Sequence, residues 1–345
     1  MKSFALSKTL YRTCHHSVLL SVLVVFTTLI VFTTLSFMPF RAAYAADRAP
    51  TNIYVFGDSL SDNGNLSTWF QLLMLGTGNY NGERMTNGLT AIEVMSRYMG
   101  VELRPARWFF GFPQGSNYAA AGATASGTRF FDLERQVDAY LKHYREGAKE
   151  DSLFVIFIGS NDLRSAISRS DRSMETMIAA AQGVYKQTQR LISNGAKQIL
   201  WINAPNTDRT PELWDYRADL EEKTEELLVK QMTALIKIYN ESLSFRSRQI
   251  QAFFDARDKR AIEAGEAPLG RRILVANLYK LVETVLDEPQ RFGFKEVKKS
   301  CMSVVKCRRN EREAAGYLYY DQMHPSGAAN EMLGKFLYDF YMEYF

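Results

Sequence analysis

Short apolar runs alternate with longer amphipathic stretches along most of this chain. Ile53–Phe56, Leu153–Ile158, Gln198–Asn203 and Gln249–Phe254 are rich in Ile, Val and Phe and read as strands. Between and beyond them, Ala91–Met99, Leu133–Tyr144, Ser173–Ser193, Leu213–Ser247 and Ala328–Tyr341 read as helices. Strands that are apolar throughout and separated by helices predict a parallel sheet covered on both faces. The charge-dense stretch Glu221–Lys230 falls inside the helical pattern and reads as a solvated face. No repeat, low-complexity tract or Pro/Gly linker divides residues 46–345, so the pattern predicts a single α/β domain there.

The amino terminus breaks this pattern and reads as an export signal. Lys2, Lys8 and Arg12 precede the uncharged run Ser17–Phe40, and "RAAYAAD" then offers Ala43 and Ala45 in a small-x-small arrangement. Cleavage near Ala45 predicts a secreted or periplasmic protein, with residues 1–45 as the signal peptide. The run Ser17–Phe40 is also long enough to span a bilayer, so an uncleaved anchor over residues 17–40 is the alternative.

Charge changes its meaning once this segment is set aside. The whole chain carries 42 basic and 38 acidic residues, yet residues 1–46 hold four of the basic ones and no acid. The remainder is formally neutral, which gives no argument for nucleic acid as a partner. Cys301 and Cys307 are the cysteines left beyond the leader, in "KSCMSVVKCRRN". Five intervening residues can fold back for a disulfide, which an oxidising compartment preserves. So short a loop contributes only about 2 kcal/mol of chain entropy, and its main effect is local. Without histidine partners the pair makes a poor zinc site, and no metal is expected.

Candidate chemistry sits where the first strand ends, in "YVFGDSLSDNGN" (Tyr54–Asn65). In open parallel sheets functional residues gather beyond the carboxyl ends of strands. Ser59 occupies that place after the first strand, and Gly159-Ser160-Asn161-Asp162 the equivalent place after "LFVIFI". Gly-Asp and Asp-Asn-Gly are also ordinary turn chemistry, so Ser59 is either a turn residue or a nucleophile. A serine nucleophile needs a base, usually a histidine oriented by a carboxylate. His143, in "AYLKHYREG", reads as a helix-surface residue. His324, in "YYDQMHPSG", has Asp321 three residues before it and Pro325 after it, a proline that disfavours helix at His324 and favours a turn. Acyl transfer also needs oxyanion donors, which the Asn161 amide, the Gly122 backbone and the Ser59 backbone can offer.

Taken in order, these blocks resemble the GDSL family of lipases and esterases, the SGNH hydrolases. "FGDSLSDNGN", "NYAAAGA", "GSND" and "DQMHP" match its four blocks, and "ERMTNG" (83–88) and "NAPNTDRTP" (203–211) look like its connecting segments. The resemblance implies a three-layer α/β/α sandwich of flavodoxin-like kind with a mainly parallel sheet. It implies Ser59 as nucleophile, Asp321 and His324 as its partners, and Ser59, Gly122 and Asn161 as the oxyanion hole. The family often has a glycine where Ala121 stands. Neither the Gly-x-Ser-x-Gly elbow of α/β-hydrolases nor a phosphate loop with its lysine is present, and no cofactor is expected.

The pattern resembles the bacterial secreted branch that includes phospholipases A, lysophospholipases and glycerophospholipid:cholesterol acyltransferases. That implies a lipid ester substrate met at a membrane surface, and a sterol as an alternative acyl acceptor. Members carry a small disulfide loop before the catalytic Asp and His, as Cys301–Cys307 would form. Here Lys295, Lys298, Lys299, Lys306, Arg308, Arg309 and Arg312 surround it, suited to anionic headgroups, to an activating protease or simply to solvent. "TWFQLLML" (68–75) and "RWFFGF" (107–112) read either as an acyl groove or, for most residues, as helix and core. A carbohydrate acetylesterase of the same fold and a non-catalytic, membrane-anchored binding protein are the competing readings.

Overall fold

Four short strands form the central sheet: β1 (Asn52–Gly57), β2 (Ser152–Phe157), β3 (Gln198–Ile202) and β4 (Arg272–Ala276). They lie in the order β1-β2-β3-β4 and every pairing is parallel. The computed structural model describes residues 49–66, 80–111, 113–149, 151–168, 172–217 and 220–345. The expected signal peptide (1–45), the alternative anchor (17–40) and the stretch 68–75 lie outside the described residues.

Side chains alternate across a strand, and in β1, β2 and β3 both sets are buried, which is why their central positions are apolar. Tyr54, Phe56, Phe154, Ile156, Ile199, Trp201 and Ile273 join one core. Helices α1 (Ala91–Tyr98), α2 (Leu133–His143), α3 (Ser160–Ser168), α4 (Ser173–Ser193), α5 (Pro211–Arg217) and α6 (Glu222–Glu263) follow in the chain. Buried residues of α2, α3, α4 and α6 fill that core. The alternate set, Ile53, Val55, Leu153, Val155 and Leu200, is equally buried. Two further helices, α7 (Leu278–Asp287) and α8 (Gly327–Tyr344), complete the layers. Gly334 lets α8 cross α1 closely, since a Cβ there would come within 2.4 Å of the Val94 Cβ. The Tyr341 hydroxyl of α8 donates to Gln198 of β3. The result is the expected sandwich of helices on a parallel sheet, and Pro50–Phe345 form one compact unit.

Two elements differ from the sequence pattern. Gln249–Phe254 is not a strand but part of the 42-residue helix α6. Ile250 and Phe254 stand four apart and extend the buried stripe of Leu235, Ile236, Tyr239, Leu243 and Ser247, while Phe253 is exposed. Helical period decided the outcome over the apolar run. The fourth strand is instead Arg272–Ala276. The expected helix Leu213–Ser247 is divided between α5 and α6. A second small sheet pairs β5 (Glu296–Ser300) with β6 (Tyr317–Tyr319) in parallel. No helix among the described residues is long and apolar enough to cross a membrane.

The free edge of β1 carries the "NYAAAGA" block. Val55 N–H donates to Ser116 O at 3.0 Å, Tyr118 N–H to Val55 O at 2.7 Å, and Ala120 N–H to Gly57 O at 3.1 Å. The Gln136 amide of α2 grips the last strand residue, accepting from Gly57 N–H and donating to Gly57 O, both at 2.8 Å. Gln136→Leu keeps the volume but strands a buried backbone donor, a loss of about 1–3 kcal/mol. A thermal melt should therefore show a lower midpoint with the fold retained; an unchanged midpoint would show that Gly57 finds another partner.

Candidate active site

Ser59 stands on the first turn after β1. Asp58 Oδ1 accepts Leu60 N–H at 3.0 Å, and Asp58 O accepts the N–H groups of Ser61 and Asp62 at 3.1 and 3.0 Å. Asp62 then accepts from Gly64, Asn65 and Leu66 of its own loop and from Ala121 N–H at 2.8 Å. That last bond ties the turn of Ser59 to the turn of Gly122, more than sixty residues along the chain.

His324 reaches the same place from the other end of the molecule. Tyr320 N–H donates to His324 O at 2.8 Å, and Tyr319 bridges to Pro325, closing a tight turn. Inside it, Asp321 Oδ1 accepts the N–H groups of Met323 and His324 at 2.8 and 2.7 Å. His324 Nδ1 lies 2.8 Å from Asp321 Oδ2, and His324 Nε2 lies 2.8 Å from Ser59 Oγ. Thr86, in the "ERMTNG" segment, supports the turn by donating to Pro325 O at 2.8 Å. Asp321 and His324 are each only 5% exposed.

Burial alone would push the Asp321 carboxyl up. The His324 charge and hydrogen bond, with two backbone N–H groups, outweigh it and hold Asp321 below its ordinary range. For His324 burial lowers the pKa, but Asp321, with help from Asp58, raises it above its ordinary value of 6.5; Arg164 opposes them. Asp58 is itself pushed up to about 7 by burial, against the Leu60 N–H and the His324 charge. Its Oδ2 is buried without a hydrogen-bond partner.

Gly122 has a φ of 78°, a left-handed conformation that suits glycine. Asn161 lies in the first turn of α3, and its Nδ2 donates to Ala123 O at 2.9 Å. The adjacent Asp162 accepts from Ala125 and Ser126 N–H, so one helical turn holds the loop that follows Gly122. Gly159, just before it, has a φ of 126°, and a Cβ there would meet the Tyr239 ring at 2.6 Å. Ser59, Gly122 and Asn161 all line one cleft of about 340 Å3. The three residues named from sequence as oxyanion donors thus face a common space beside the Ser59–His324 contact.

Cys301 and Cys307 form a disulfide with a Cα–Cα distance of 5.2 Å. Both pack with Tyr320, and Met302 N–H donates to Tyr320 O at 2.9 Å. Ser300, Met302 and Ser303 form one wall of the cleft. Ser59 and His324 also line an apolar cavity of about 100 Å3, together with Leu60, Leu163, Ile167, Leu213, Met232, Leu278, Val282, Leu318 and Leu333. Of the aromatic segments considered as a groove, Trp108 instead packs against the main core. His143 is exposed at the end of α2. Among the described residues, no group of three or more His, Cys, Asp or Glu is arranged to hold a metal ion.

Sequence reading passed over Tyr80, Gln136 and Arg164. Tyr80 Oη donates to Asp321 Oδ2 at 3.1 Å across 241 residues, a separation that leaves no local signal. Arg164 follows Asn161 by one turn of α3 and lines both cavities, which helical spacing from Asn161 would have suggested.

A serine after the first strand of a parallel sheet, in hydrogen-bonded line with a histidine and an aspartate from a distant turn, is an arrangement suited to nucleophilic acyl transfer. The family model of the GDSL-like lipase/acylhydrolases matches residues 53–337, and the chain belongs to that family. Over 183 residues it is 27% identical to Lipase 1 of Photorhabdus luminescens, a match covering 51% of this chain and 25% of that protein. It is 23% identical over 342 residues to a GDSL esterase/lipase of Arabidopsis thaliana, covering 84% of this chain and 87% of the relative. It is 22% identical over 260 residues to the phosphatidylcholine-sterol acyltransferase of Aeromonas hydrophila, covering 74% and 68%. The match thus spans a quarter of the first relative's length and most of the other two.

If His324 takes a proton from Ser59, it must be neutral, so activity falls as pH drops through its pKa. The environment raises that pKa above 6.5, which places the half-maximal point of the acid limb of kcat/KM above 6.5. The limb belongs to His324 coupled with Asp58 rather than to one group. A profile on a soluble ester should show it. A half-point below 6.5, or a flat profile from about pH 5 to 8 with the protein folded, would contradict this role for His324.

Proposed function

We propose that the protein is an exported serine esterase that cleaves carboxylic esters of long-chain lipids, phospholipids and lysophospholipids foremost. Ser59 Oγ attacks the ester carbonyl carbon while its proton passes to His324 Nε2. The negative charge that develops on the carbonyl oxygen meets the backbone N–H groups of Ser59 and Gly122 and the side-chain amide of Asn161. As the C–O bond of the ester breaks, the imidazolium returns the proton to the leaving alcohol, and the acyl group stays on Ser59. Water, or a second alcohol such as a sterol, then attacks the acyl-enzyme with His324 again taking the proton. The products are a fatty acid or a new ester, and Ser59 is restored. Asp321 holds the imidazole in the tautomer with Nδ1 protonated and stabilises the cation.

The observation that carries the lipid reading is the apolar cavity behind Ser59 and His324. Each methylene buried there contributes about 0.8 kcal/mol, whereas an acetyl group would leave the cavity unused. The likeness to a phosphatidylcholine-sterol acyltransferase supports phospholipid as donor and sterol as acceptor. The basic residues around the disulfide loop suit anionic headgroups at a membrane surface and offer sites for an activating protease. Export rests on residues 1–45 and the signal they resemble.

A series of acyl esters from acetyl to octanoyl and palmitoyl tests the proposal. kcat/KM should rise at least about tenfold from acetyl to octanoyl. Ile167→Trp, which fills the cavity, should shift the ratio back toward acetyl. Faster turnover of acetyl than octanoyl esters would replace the lipid reading with a carbohydrate acetylesterase. Phospholipid supplied with cholesterol then distinguishes release of fatty acid from formation of sterol ester.

A further inference from the structure

Asp321 accepts from four donors, and they come from two different parts of the chain. Oδ1 takes the N–H groups of Met323 and His324, and His324 Nδ1 lies between the two oxygens, 2.8 Å from Oδ2 and 2.9 Å from Oδ1, all within the turn itself. The fourth donor, Tyr80 Oη at 3.1 Å from Oδ2, arrives from outside it. A carboxylate offers about four acceptor sites, so Tyr80 completes the set. The Tyr80 ring stands edge-on to Tyr320, with centroids 5.4 Å apart. Tyr320 in turn packs with Cys301, Cys307 and Ala314, so the disulfide loop is the platform on which Tyr80 rests.

We propose that Tyr80 is a positioning residue for the Asp321–His324 pair, fixing the carboxylate through its hydroxyl and moderating the carboxylate's pull on the imidazole. This rests on the catalytic reading of Ser59, His324 and Asp321 given above. Rotation of the Asp321 carboxylate would disturb the sharing of Nδ1 between its two oxygens, and the Tyr80 hydroxyl holds Oδ2 in place against it. Donation to Oδ2 also spreads the negative charge that His324 feels. Burial and then the Asp321 charge raise the Tyr80 pKa, so the hydroxyl keeps its proton and remains a donor through neutral pH. The charged groups facing His324 are Asp321, Asp58 and Arg164, while Tyr320 is the titratable neighbour of Tyr80. Tyr80→Phe keeps all of them, together with the ring packing, and removes only the hydroxyl.

The test is the rate at which a fluorophosphonate labels Ser59 in the full chain, measured from about pH 5 to 9, a readout independent of the natural substrate. Wild-type protein should label with an acid limb. In Tyr80→Phe the limb should move to higher pH by about half a unit, because the less neutralised carboxylate holds the imidazolium more strongly. The plateau rate should fall roughly three- to tenfold as the imidazole loses its fixed orientation. A plateau loss with an unmoved limb would reduce Tyr80 to packing and overturn the inference. Labelling identical to wild type would overturn it outright. Failure of the wild-type protein to label at all would remove the catalytic reading, and the inference with it, which is a different result from failure of the variant to differ.

Discussion

A buried carboxylate must be satisfied, and the way Asp321 is satisfied sets the geometry of the site. An unpaired charge at that depth would cost several kcal/mol, so its oxygens draw in every donor within reach. Two of those donors are backbone N–H groups of its own turn, which fixes the loop. The third is the imidazole of His324, which fixes the ring and leaves Nε2 pointing outward at Ser59. Ser59 is held to meet it by other buried polar groups, with Gln136 on Gly57 and Asp62 on Ala121. The first strand and the last turn of the chain are thereby brought to one point.

The same device recurs around the site. Asp162 secures the loop after Gly122, and Asp62 secures both the Ser59 turn and the Gly122 turn. Both acids accept backbone N–H groups, and through them organise the loops. Asp58 differs. Its Oδ2 lacks a partner, and burial brings its titration near neutrality, where it couples to His324. Ser59 and His324 line two spaces, one of which has the disulfide loop as a wall.

The residues that meet at the candidate site were legible because each belongs to a short segment with its own local chemistry. Asp321 orients His324 across three residues and a turn, which a reader can see in "DQMHP". Strands β1, β2 and β3 were legible for the same reason, as brief apolar runs at the expected spacing. Gln249–Phe254 misled because an apolar run of six residues satisfies both periods, and only the stripe beginning at Leu235 identifies it as helix. Arg272–Ala276 was passed over because its apolar core is very short and begins with an arginine. Tyr80 and the lining of the apolar cavity were beyond reach for a different reason: each depends on contacts between distant segments, for which the local pattern holds no record.

Everything proposed for the site requires that an acyl group pass through Ser59. The most direct measurement is rapid quenching of the protein during turnover of a phospholipid or other acyl ester, followed by peptide mass analysis. One adduct is expected, an acyl group replacing the hydroxyl hydrogen of Ser59, absent from a folded Ser59→Ala protein that no longer turns over. Sustained hydrolysis by folded Ser59→Ala, or an acyl adduct on a different residue of the wild-type protein, would contradict it.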